Sequence, residues 1–349
     1  MSIFKTLKPS AFVENKFAID MKPVSFKILV RGFETLTPRH YKLAKCIECY
    51  WAADLATFEE PVSGSNISSK VFKNALLAAR DSVHDANSLN ILSRGISTND
   101  SVSYTLLEVL KIHLLACKNL SMIPGLKEKE PYNLARFALR TAWVLEDVKD
   151  TNDSTLIQET QELFNRLGKG WYDLPNDIAS FRDWAYKLYE LSLVASRLIQ
   201  TPRDEVELIL LLARLEISQG KFVDAKKRIH YAKSRVKESE SSIAAEYNKL
   251  ISINEDEATK LRASEMAEIR RMKIACDELE KEHEILVDHH TEQEFNRALG
   301  LLSGLADKDK TEQKIKHLLL EAGVVEDIIT SILKSGKSEK KSLFNWLSK

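Results

Sequence analysis

Between Gly220 and Gly300 the chain contains neither glycine nor proline. That run constrains the fold more than any motif, because helix is the regular structure that extends so far without a turn residue. Mixed charges are dense across it, and residues 238 to about 303 read as one long helix or two. An apolar stripe passes through Ile269, Met272, Cys276, Leu279, His283, Leu286 and His290 in steps of three and four, the spacing of a coiled-coil seam. Two of these positions are polar. The stripe therefore fits either a coiled-coil arm that joins copies of the chain or a helix packed on its own body.

Breakers are scarce elsewhere too, with 11 glycines and 8 prolines in 349 residues. Long helices and few hairpins follow. Apolar residues make up 44% of the chain, enough for a sizeable core. The 51 basic and 51 acidic side chains cancel, which argues against a general nucleic-acid binder but leaves room for a local basic patch. The N-terminal twenty residues hold no apolar run of signal-peptide length, and no stretch reaches the roughly 18 apolar residues of a membrane span. Four cysteines at unrelated spacings do not form a secreted disulfide framework. The expected location is the cytoplasm.

Strand character is confined to residues 1–62. VSFKILV (24–30) is β-branched and loosely alternating, and RHYKLAKCIE (39–48) is its expected partner. SGSNISS (63–69) is a loop ending in an N-cap serine, Ser68 or Ser69, for the helix that follows. Residues 68–237 form the helical body, with one helix starting at Pro131 and another running from a serine cap to Gly168. Residues 238–303 form the long helix, and 309–349 two short helices and a tail. The aromatics Trp143, Trp171, Tyr172, Trp184, Tyr186 and Tyr189 fall in the body, where core is their default place and a concave peptide groove the alternative.

The helix pair around Gly220 has a spacing of its own. Ile209, Leu212 and Ala213 precede the glycine, and Ala225, Ile229 and Ala232 follow at intervals of four and three. Small residues let the two helices approach, and Ile229 fills the space between. This spacing resembles a tetratricopeptide repeat. It departs from the repeat at Glu216, where an aromatic is usual, and in lacking a closing proline. The fold class is mainly α: a tetratricopeptide-like helical body, a small β-containing N-terminal module and a long C-terminal helix.

Cys46 and Cys49, three apart, look like half a zinc ribbon. A closed structural zinc site takes four ligands. His40 is near enough in sequence for a third and His84 for a fourth; otherwise both cysteines are small buried hydrophobes. In the long helix, Cys276, His283 and His290 share one face, and Glu280 with His283 has the E-x-x-H spacing of di-iron bundles. No second such motif accompanies it. P-loop, dinucleotide-binding, nucleophile-elbow and H-E-x-x-H signatures are absent from the sequence.

RHYKLAKCIECYWAADLATFEEP resembles the second half of an N-terminal zinc ribbon in an uncharacterised bacterial family. Tyr41, Cys46, Cys49, Trp51, Ala52, Ala53 and Phe58 fit its pattern, whereas Ile47 replaces a proline and Tyr50 a glycine. LRTAWVLEDV (139–148) and LARLEISQGKFVDAKKRI (212–229) are similar to two helices of the same family, so the resemblance covers about residues 24–235. The family's first cysteine pair is missing here. The resemblance implies a ribbon that kept its shape without its metal, a tetratricopeptide-like interaction body, and no named reaction.

The tail 334–349 carries five lysines and one glutamate beside Leu343, Phe344, Trp346 and Leu347. Aromatics in a polar segment suit docking on a partner, on the chain's own groove, or on an anionic surface; closing the core is the alternative. The functional expectation is a non-enzymatic adaptor or scaffold for protein partners, without cofactor unless zinc binds Cys46 and Cys49. A second expectation is an accessory subunit of a nucleic-acid-associated defence or repair complex, resting on Lys226, Lys227, Arg228, Lys233 and Arg235. A third is a metalloenzyme built on the histidine-rich helix.

Overall fold

The computed structural model describes residues 2–3, 11–31, 36–46, 49–54, 83–97, 103–122, 131–195, 199, 201–251, 253–303, 312–324 and 326–338. The chain divides into two compact units, Met1–Cys276 and Asp277–Lys349. Among the described residues it is mainly α, as its shortage of breakers requires.

Among its described residues the first unit holds five short strands: β1 (Ser2–Ile3), β2 (Phe12–Phe17), β3 (Pro23–Ile28), β4 (Leu43–Cys46) and β5 (Ala52–Asp54). VSFKILV does form a strand, but its pairing differs from expectation. β3 pairs antiparallel with β2, FVENKF, while β4 pairs with β1 and β5. The β2–β3 turn uses Met21 at φ 65° and a hydrogen bond from Ala18 N–H to Lys22 O of 2.8 Å. Arg39, His40 and Tyr41, expected at the start of a strand, form a 3-10 turn with Pro38 instead, because Pro38 cannot donate to a ladder but suits a first helical turn.

The helices of this unit are α1 (Val83–Ser93), α2 (Leu106–Ser121), α3 (Pro131–Asp150), α4 (Ser154–Leu167), α5 (Ile178–Ala195), α6 (Pro202–Ser218), α7 (Phe222–Leu250) and α8 (Glu255–Ser303). The last of these crosses the boundary between units. Their starts follow local chemistry. Thr105 and Glu108 make a capping box on α2, and Thr201 and Asp204 make one on α6 ahead of Pro202. The cap of α4 is Asp153, one residue before the expected serine; its carboxylate accepts from Thr155 and Leu156 N–H. The helix expected just after Ser68 lies outside the described residues.

α2 is buried on nearly every side, from Val109 to Leu120, between α1, α3 and the β4–β5 hairpin. α3 packs along α5, adding Leu134, Phe137, Ala138, Phe181, Ala185 and Leu188 to the same core. α6 and α7 form an antiparallel hairpin. Gly220, at φ +74°, closes α6 with bonds from Lys221 N–H to Glu216 O and from its own N–H to Ile217 O, a Schellman motif. Ile209, Leu212, Ala213, Ala225, Ile229 and Ala232 are all buried, as their spacing required.

The breaker-free stretch is not one helix. α7 ends at Leu250, and Asn254 caps α8 through Oδ1, which accepts from Glu257 N–H at 3.1 Å. The chain then reverses. Arg262 stacks on Tyr247, and Lys273 bonds both Glu240 carboxylate oxygens at 2.8 Å. Arg203 of α6 reaches Glu268 at 3.1 Å. A self-capping asparagine does here what glycine or proline does elsewhere.

The second unit holds the end of α8 with α9 (Glu312–Glu321) and α10 (Glu326–Ser338). Ala298, Leu302, Leu319, Val324, Ile328, Ile329 and Ile332 make its core. These are the two short helices expected from the sequence. No helix of the described residues is long and apolar enough to cross a membrane.

Candidate functional site

The cysteine pair sits at the β4–β5 hairpin, where Cys46 N–H bonds Trp51 O at 2.7 Å and Tyr50 takes φ 59°. Cys49 is buried, and its thiol is pushed far up by a hydrogen bond with Cys46 and by burial. The expected third ligand is engaged elsewhere: His40 Nε2 bonds Asp147 Oδ2 at 2.8 Å. The side chain of His84 lies outside the described residues. Cys117 is buried against Thr141, 3.7 Å away. Among the described residues no group of three or more His, Cys, Asp and Glu is placed to hold a metal. Two thiols alone do not close a tetrahedral site.

Sequence reasoning missed a polar assembly centred on α3. Arg136, Arg140, Trp143, Glu146 and Asp147 recur at helical spacing along one side of α3, where they hold several different segments. Arg136 and Arg140 grip Asp54 of β5, Arg140 Nη1 at 2.6 Å. Trp143 Nε1 donates to Asp20 Oδ2 at 3.0 Å, and Arg182 of α5 reaches the same oxygen at 2.8 Å. Arg182 also meets Glu146 at 2.5 Å.

Asp147 receives three donors. Lys22 stands 2.8 Å away, Arg39 makes a two-pronged pair at 3.0 and 2.7 Å, and His40 completes the set. Burial by itself raises the Asp147 carboxyl, but the bonds from His40, Lys22 and Arg39 outweigh it and hold the group far below the carboxylate range. Asp54 is lowered against burial by Arg140 and Arg136 in the same way. Beside them His113 is fully enclosed, its Nδ1 bonded to Val109 O at 2.8 Å; burial pushes its pKa down to about 4. The adjoining cavity, between Arg39, His113, Arg140 and Trp143, measures about 10 Å³, room for one water and no substrate. This assembly is a clamp that fastens the β hairpins to the helices.

The second assembly faces outward. A cleft of about 430 Å³ opens between α5, α6 and α7, lined by Tyr186, Glu216, Lys221, Asp224, Lys227, Arg228 and Tyr231. Glu216 is the residue standing where the repeat pattern has an aromatic. It is buried, and its Oε1 accepts from Tyr186 Oη at 2.6 Å and Arg228 Nε at 2.8 Å. Arg228 Nη2 bonds Tyr186 Oη at 2.6 Å and Glu190 at 2.8 Å, and its guanidinium stacks over the Tyr186 ring. Burial and the bond to Glu216 raise the Tyr186 hydroxyl well above its usual range. A buried carboxylate thus replaces a ring by recruiting a ring and an arginine to cover it.

Both assemblies lie largely inside one span of family likeness. The model of a family described as an uncharacterized protein conserved in bacteria, DUF2225, matches residues 25–252. The chain belongs to that family. No curated protein and no solved structure matches it. The DUF2225 span runs from β3 through α7, so it takes in the α3 side of the clamp and the whole cleft, and it stops before α8.

The remaining expectations divide. In the coiled-coil stripe Ile269, Met272, Cys276, Leu279 and His283 are buried within the chain, whereas His290 is exposed. Of the basic patch, Arg228 is bound to Glu216 and Glu190, Arg235 to Glu205 and Glu238, and Lys227 to Asp224. Trp171 and Tyr189 are core, but Tyr172 is 87% exposed. Leu343, Phe344, Trp346 and Leu347 lie outside the described residues.

Proposed function

We propose that this protein is a non-enzymatic adaptor that holds a protein partner on its helical body. The observation that carries the reading is the open cleft at the α5–α6–α7 junction. Its size is that of binding sites generally, about 300–1,000 Å³. Its walls are rigid helices, and its polar groups are braced by one another. The helix spacing through Ala213, Ala225, Ile229 and Ala232 is that of a tetratricopeptide-like hairpin, an architecture whose concave faces bind extended segments. The tail residues Leu343, Phe344, Trp346 and Leu347 supply a second contact, and the β hairpins around Cys46 and Cys49 act as a ribbon-like cap without metal.

The test is quantitative affinity purification from the native cell. Three forms are compared: the full chain, a Tyr231→Ala variant and a chain ending at Ser338. A stoichiometric partner held by the full chain and depleted severalfold in Tyr231→Ala supports the cleft; depletion in the shortened form assigns the tail its share. A partner retained equally by all three sinks the proposed surfaces. A chain that purifies alone and turns over a small-molecule substrate sinks the adaptor.

A further inference from the structure

Resting on the adaptor reading, the cleft's chemistry narrows what enters it. We infer that the cleft takes a short acidic segment of a protein partner, seating a carboxylate at Lys221 and Arg228 and an apolar or aromatic side chain on Tyr231.

The charges decide the sign. Lys227 is answered by Asp224 at 3.3 Å. Arg228 is answered by Glu216 and Glu190 through Nε and Nη2, and its Nη1 makes no bond among the described residues. Lys221 lies over the Tyr186 ring, 5.6 Å from its centroid, and no carboxylate pairs with it among the described residues. The uncommitted charged donors of the cleft are therefore an ammonium and one edge of a fixed guanidinium, and both approach the same tyrosine ring. Glu216 cannot offer itself to an incoming cation. Its Oε1 is spent on Tyr186 and Arg228, and its Oε2 is buried out of reach.

Apolar recognition comes from Tyr231, half-exposed at 51%, two helical turns along α7 from Val223, itself 70% exposed. Charged hydrogen bonds of the kind Lys221 and Arg228 offer are about twice as strong as neutral ones, and Arg228 is already immobilised to make one.

Other occupants fit less well. A nucleic-acid backbone brings many phosphates to a cleft with one uncommitted lysine, lined by Asp224 and adjoined by Glu190. The chain's own tail, with five lysines and one glutamate over 334–349, repeats the charge of Lys221 instead of opposing it.

The experiment selects binders from a random dodecapeptide display library against the full-length protein, then measures the selected peptides by fluorescence polarisation. Arg228 is part of the buried cluster and its removal can unfold the hairpin, so the reporter is Lys221→Glu, at an exposed position without a side-chain cap bond. Its melting temperature is checked against the parent. The expected result is enrichment of Asp and Glu beside an apolar residue, with about tenfold weaker binding to Lys221→Glu. Peptides selected without acidic enrichment, or bound equally by Lys221→Glu, overturn the acidic assignment and leave the adaptor standing. A library that yields no binder weakened by Tyr231→Ala overturns the peptide cleft itself.

Discussion

Asp147 shows how much one side chain holds in this fold. Its carboxylate joins Lys22 and Arg39–His40, on two N-terminal segments, to the far end of α3. Removing it takes the shared carboxylate from Arg39 and His40 and leaves Lys22 with Glu146 alone, 3.1 Å away, and breaking a buried pair from one side costs about 3–5 kcal/mol. Asp147→Ala is expected to lose that much in urea unfolding. His113 adds a pH dependence of definite sign. Its folded pKa of about 4 lies below the unfolded value near 6.5. The unfolded chain therefore binds the proton first, and stability falls as pH drops from about 6.5 towards 4. The loss is up to about 3 kcal/mol. The lowered carboxyls of Asp147 and Asp54 titrate below this window, so melting between about pH 6.5 and 4.5 isolates His113 from them. His113→Gln is expected to flatten that part of the profile.

At the level of elements, local rules are legible where one residue decides the geometry. Gly220 is readable as a turn, and its φ of +74° confirms the need for glycine. A Cβ added at this position would meet no atom within 4 Å, so Gly220→Ala meets only backbone strain. A loss of about 1–2 kcal/mol is expected in thermal unfolding. Strand partners are not legible, because β1 is two residues long and β2 alternates poorly. The stop at Leu250 is hidden because Asn254 acts through a side-chain cap that composition does not flag. The clamp on α3 does leave a trace. Arg136, Arg140, Trp143 and Asp147 follow steps of four, three and four, a polar stripe on a helix whose other side is apolar. Its meaning needs the acidic and basic partners that the strands and turns bring from far along the chain, more than a hundred residues away in the case of Asp147.

For the whole molecule, the balance of 51 basic and 51 acidic residues is reproduced locally, since Lys227, Arg228 and Arg235 of the expected basic patch are paired with carboxylates. The protein is therefore expected to flow through a DNA column at low salt; retention that weakens steeply with salt is the contrary result. The helical class is legible from breaker scarcity alone, whereas the cleft is not, because Glu216 reads only as a departure from a repeat. The clamp has a last consequence. A carboxylate answered at once by Lys22, Arg39 and His40 cannot be exchanged alone without stripping Arg39 and His40 of their carboxylate and leaving Lys22 only Glu146. Inherited changes at positions 22, 39, 40 and 147 should consequently appear together, a covariation that sequences of diverged relatives can reveal.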